Sequence, residues 1–98
     1  MAEHYKLVGH DTVPVDGLIE WATWFETADR SVARDEIGES CVSTVFLGLA
    51  HSFGQGGPIL FETMVFGGSL DQETERYRTW DEAETGHAAM LARVQAAH

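Results

Sequence analysis

One carboxylate, Glu62, stands in the middle of an otherwise apolar run, Ile59-Leu60-Phe61-Glu62-Thr63-Met64-Val65-Phe66. A carboxylate buried in a strand is costly unless a cation or hydrogen-bond donors meet it. Arg30, Arg34, Arg76 and Arg78 are the cations within plausible reach. Arg76 is the first choice, because its short strand is expected to neighbour that of Glu62. The result is either an internal ion pair or a polar group that orients a ligand in a pocket. A second dense cluster is Trp24-Phe25-Glu26-Thr27-Ala28-Asp29-Arg30, whose aromatic pair can stack a base while the polar groups bond its edges. Core packing followed by a polar turn explains the same residues. A third candidate is the Gly-rich loop His51 to Pro58, either a plain strand connection or a rim that offers bare amides, with Phe53 as a stacking group. Together these give a candidate ligand-binding set of Trp24, Phe25, Glu26, Arg30, Arg34, His51, Phe53, Glu62, Arg76 and Tyr77.

Other chemistries find no support. The Gly-rich loop lacks the Lys-Ser/Thr ending of a phosphate loop and joins strand to strand. His51, Glu62 and His87 lack the close spacing of metal ligands. No Gly-x-Ser-x-Gly elbow is present. Cys41 opens an apolar strand, where a thiol behaves as a small hydrophobe. No catalytic residue, metal site or cofactor is therefore expected, and His87 reads as a helix residue facing a sheet.

The elements that must position these residues follow from periodicity. Tyr5 to Val8 suits an edge strand, and Gly9-His10-Asp11 a turn. Leu18, Trp21, Ala22 and Phe25 fall on one helical stripe, which predicts a helix over about 16–27 capped by Asp16. Trp24 lies off that stripe, as a second core contact or part of an interface. Ser31 to Ile37 can be a strand, with Gly38-Glu39 as a two-residue hairpin turn. Cys41 to Ala50 and Ile59 to Phe66 are rich in β-branched and aromatic residues and apolar on both faces. Arg76-Tyr77-Arg78 fits a short strand with Tyr77 inward. Thr79-Trp80-Asp81-Glu82 is a capping box opening a helix over about 80–96, with Trp80, Ala83, His87, Met90, Leu91 and Val94 on one stripe and Gly86 as its weak point. The predicted fold is α+β: a single domain, 1–98, with a small antiparallel meander of four to five strands packed with two helices, in the order β-α-β-β-β-β-α.

Composition agrees. The chain has 98 residues and 44% apolar content, ordinary for one globular domain. Its single cysteine excludes an internal disulfide. The beginning of the chain has neither a basic nor an apolar stretch, so no signal peptide is expected. No apolar run nears the roughly 20 residues of a membrane span. The expected location is the cytoplasm. Sixteen acidic against six basic residues give a net charge of −10, which disfavours nucleic acid and anionic membranes. The acids are scattered, which suits solubility better than mimicry of a nucleic acid. Helices on one face of the sheet leave large apolar residues on the other, so a homo-oligomer, dimer or higher, is expected.

Three stretches carry a resemblance: Trp21 to Arg30, Val42 to Leu49 and Leu60 to Gly68, with Tyr77 to Ala83 and Gly86-His87 in support. Over about 14–95 the chain resembles a family of short hypothetical proteins of tailed bacteriophages and prophages. One departure is Ala50, where the family pattern leads one to expect an aspartate before His51. The resemblance implies an accessory protein acting in the host cytoplasm. One expected role is sequestering a small nucleotide immune signal without catalysis. The other is an interaction factor that inhibits a host enzyme or acts in phage assembly.

Overall fold

A computed structural model describes residues 3–50 and 57–97. In chain order the elements are β1 (His4–Val8), β2 (Asp11–Val15), α1 (Leu18–Thr27), β3 (Ser31–Ile37), β4 (Ser40–Phe46), β5 (Phe61–Phe66), β6 (Thr74–Tyr77) and α2 (Trp80–Ala97). The fold is α+β, as the sequence predicts. A four-stranded antiparallel meander, β3-β4-β5-β6, carries α2, and a two-stranded hairpin, β1-β2, carries α1. β2 is additional to the expected order. Its Pro14 lies opposite Tyr5 in a ribbon with only two strands, where a missing N–H costs little.

The hairpin of β3 and β4 turns at Gly38-Glu39, with Ile37 opposite Ser40. Gly38 takes a φ of +56°, the left-handed conformation such a turn needs at its first position. β4 is strictly alternating: Ser40, Val42, Thr44 and Phe46 are buried, while Cys41, Ser43 and Val45 are half-buried. It is shorter than expected. After Phe46 the chain bends at Gly48, whose carbonyl accepts from the Tyr5 amide at 2.8 Å, while Leu49 pairs with His4. β5 likewise starts at Phe61 rather than directly after Pro58.

α2 lies across one face of the meander. Thr79 caps it, its hydroxyl accepting from the Glu82 amide at 3.1 Å. The Glu82 carboxylate reaches back one residue further than a simple capping box requires, to the Arg78 amide at 3.0 Å. Ala83, His87, Met90 and Val94 form the buried stripe. Beneath it the core divides into two clusters. Val42, Val65, Met90 and Val94 make one. Phe46, Leu60, Phe61 and Ala83 make the other, extended by Tyr5, Leu7, Trp24 and Trp80. Each fully buried Phe, Leu, Val or Met contributes about 1.5–3 kcal/mol relative to exposure.

α1 differs from the expected helix in two ways. Gly17, not Asp16, is the N-cap, and it makes no side-chain cap bond. The inward face is Trp21, Trp24 and Phe25, whereas Leu18 is 62% exposed and Ile19 83% exposed. The Trp21 indole N–H donates to the Tyr5 carbonyl at 2.9 Å, and Trp24 meets Phe46 edge-on at 5.9 Å. The helix docks on the β1-β2 hairpin and reaches the meander through that aromatic contact, so Trp24 is a core residue. No helix among the described residues is long and apolar enough to cross a membrane.

Candidate functional site

The strand register sorts the candidate residues onto two faces of the meander. The face away from α2 carries three cross-strand rows: Glu36-Cys41-Phe66, Arg34-Ser43-Met64-Thr74 and Ser31-Val45-Glu62-Arg76. Glu62 and Arg76 stand opposite each other, and the Arg76 Nε donates to the Glu62 carboxylate at 2.9 Å. The expected ion pair is therefore present. Half the Arg76 side chain is in solvent, so the pair is worth only about 0–1 kcal/mol. Arg34 is exposed and forms no ion pair with any described residue. Cys41, Val45 and Met64 are half-buried, and Phe66 is 51% exposed. Among the described residues no helix packs on this face.

Trp24, Phe25 and Arg30 gather elsewhere, at the end of the meander beside α1. The Arg30 guanidinium lies over the Phe25 ring at 4.1 Å and donates to the Phe46 carbonyl at 3.0 Å. Both interactions hold the α1–β3 junction against β4. The guanidinium is thus committed to structure rather than free for a ligand. Glu26 is exposed and forms no ion pair with a described residue. His51 and Phe53 lie outside the described residues.

Tyr77 points to the other side of the sheet, opposite Phe61 and towards α2. Burial raises its phenol above the ordinary value of 10.0, the neighbouring Thr63 side chain works in the opposite sense, and the Glu75 carboxylate adds to the rise. The contact with Thr63 falls short of a made hydrogen bond, leaving the buried Tyr77 hydroxyl without a partner among the described residues.

The most organised polar group was not among the sequence candidates. Thr44 and Thr63 face each other across β4 and β5, both fully buried, their hydroxyls 2.5 Å apart. The His87 Nδ1 lies 2.7 Å from the Thr44 hydroxyl, and its Nε2 lies 2.8 Å from Asp35 on β3. A carboxylate can only accept, so Nε2–H donates to it. In the neutral ring Nδ1 then accepts from Thr44, and Thr63 donates to Thr44. The order acid, imidazole, hydroxyl matches that of an activated nucleophile. Here the hydroxyl has no exposed surface, so no substrate can reach it. The chain is a polar layer between the two apolar clusters, solvated only at Asp35, which is half exposed. Two threonines on the buried face of apolar strands, and a histidine on a buried helical stripe, were the available signals.

The structure thus distributes the candidates over three places: Glu62, Arg76 and Arg34 on the open sheet face, Trp24, Phe25 and Arg30 at its end, and Tyr77 beneath α2. The described candidates do not form one pocket within a single chain. Among the described residues no three His, Cys, Asp or Glu side chains group as metal ligands. Comparison with protein-family models, with curated proteins and with solved structures finds no match to this chain.

Proposed function

We propose that this chain is a non-catalytic binding protein that works as a homo-oligomer, with the open face of the meander as its working surface. The observation that carries this reading is the composition of that face. An exposed Arg34, unpaired among the described residues, and the Arg76–Glu62 pair border Val45, Met64 and the half-exposed Phe66. A second copy would bury the apolar centre, and the guanidinium groups at its borders suit an anionic small ligand held between copies. In a phage accessory protein of the host cytoplasm, the fitting ligand is a small nucleotide signal, which the oligomer would sequester.

The test combines light scattering with thermal shifts against cyclic nucleotides and ADP-ribose derivatives. A dimer or larger species is expected, with Phe66→Glu reducing it to a monomer and Arg34→Ala removing any nucleotide-induced shift. A wild-type monomer that responds to none of the nucleotides would overturn the reading. Leu18 and Ile19, exposed side by side on α1, favour a second reading as an interaction factor for a host enzyme or a phage assembly. In that case Ile19→Asp would release a host protein that the wild type retains, with the oligomer unchanged.

A further inference from the structure

The turn between β1 and β2 meets the first turn of α2 in a cleft of about 310 Å³, lined by His10, Asp11, Thr12, Thr79, Trp80 and Asp81. Its floor is a ring stack. His10 lies on the Trp80 indole with centroids 3.8 Å apart and planes within 8° of parallel. Trp80 is fixed from below by Phe61, edge-on at 6.3 Å. His10 itself is exposed, so the outer face of its ring is available.

The charge around this stack is one-sided. Asp11 and Asp81 are exposed, and neither forms an ion pair with a described residue. The N-terminus of α2 contributes a partial positive charge of about half a unit, which Asp81 alone outweighs. The Thr79 hydroxyl and the Glu82 carboxylate are already used by the amides of Glu82 and Arg78. The free outer face of His10, backed by Trp80 and flanked by two carboxylates that no described cation pairs, matches a planar cation. The volume is at the lower end of ligand clefts, about 300–1,000 Å³, which suits a single side chain better than a nucleotide.

We propose that this cleft recognises a guanidinium group, presented as an arginine side chain by a basic partner protein. A guanidinium stacks flat on an aromatic ring and bonds a carboxylate through two parallel N–H groups, whereas an ammonium does neither. The net charge of −10 steers a basic partner towards the chain. This site is separate from the open sheet face and does not depend on the function proposed for it.

The test is an NMR titration of the full chain with the peptide acetyl-Gly-Arg-Gly-amide, the same peptide with lysine, and arginine amide. Only three tryptophans contribute indole N–H signals. The Trp80 signal and the Asp11 amide should shift and saturate with the arginine peptide, with a dissociation constant on the order of 1 mM. The lysine peptide and arginine amide should bind several-fold more weakly. Asp11→Asn and Asp81→Asn should each weaken binding up to about fivefold; the melting temperature should hold in Asp11→Asn and fall only slightly in Asp81→Asn, which gives up its interaction with the α2 dipole. An unmoved Trp80 signal, or equal binding by the double Asn variant, would overturn the site. Equal binding of arginine amide and the arginine peptide would overturn the assignment to a partner protein.

Discussion

Thr44→Val tests the role of the buried polar layer most directly. The exchange keeps the shape of the side chain and removes one hydroxyl. That hydroxyl lies 2.5 Å from Thr63 and 2.7 Å from the His87 Nδ1, so both lose their partner while remaining buried. Each stranded group costs about 1–3 kcal/mol, partly offset by about 0.8 kcal/mol for the added buried methyl. The net loss is about 1–5 kcal/mol, against about 5–15 kcal/mol for a domain of this size. With a urea slope of about 1–2 kcal/mol per molar, the unfolding midpoint should fall by roughly 2 M. Thr44→Ser keeps the hydroxyl and loses one methyl, for a cost of about 1 kcal/mol. The triple variant Thr44→Val, Thr63→Val, His87→Met removes every buried member and leaves only Asp35, which water can solvate. It should regain most of the loss seen in Thr44→Val, because an apolar layer has nothing to satisfy. Urea unfolding of the four proteins is the assay. The reasoning is refuted if Thr44→Val costs no more than Thr44→Ser, or if the triple variant is less stable than Thr44→Val.

Gly86→Ala should destabilise despite a gain of about 1 kcal/mol in helix propensity, because the new methyl would collide with the Tyr77 ring and force it off α2. Combined with Tyr77→Ala, the same exchange should become stabilising, and thermal melts of the double-mutant cycle would show the reversal of sign. Burial raises the Tyr77 phenol above 10.0. Its neutral form therefore contributes stability that is complete below pH about 10 and is lost as the pH rises beyond it. Urea midpoints measured up and down the alkaline range should fall less steeply in Tyr77→Phe than in the wild type, and identical slopes would remove Tyr77 from the account.

What could be read in the sequence is what local chemistry decides. The alternation of β4, the glycine turn before it, the threonine cap of α2 and its buried stripe each depend on a few neighbouring residues. The Glu62–Arg76 pair was also legible, because adjacent strands of a meander bring such residues opposite each other. α1 was harder. Its aromatic side, Trp21, Trp24 and Phe25, has the same helical spacing as the mixed stripe, and only the β1-β2 hairpin shows which side docks. The polar layer was out of reach, since its contacts join residues 19, 43 and 52 positions apart. Each of its residues has an unremarkable local reason to be where it is. A threonine favours a strand, and a histidine tolerates a helix.

That distance in sequence also gives the layer a use. A slip of one residue between β4 and β5 would turn one threonine to the opposite face and leave the other, with His87, unpaired. The apolar rows on either side discriminate less, because Val42, Val65, Phe46 and Phe61 tolerate one another in several arrangements. The layer therefore fixes register in a sheet whose second face is also partly apolar. By this argument the triple apolar variant keeps its stability but loses uniqueness, and its amide spectrum should show more than one set of β4 and β5 signals. A single, sharp set would mean that the hairpin turn at Gly38 and the alternation of β4 suffice to hold the strands in place.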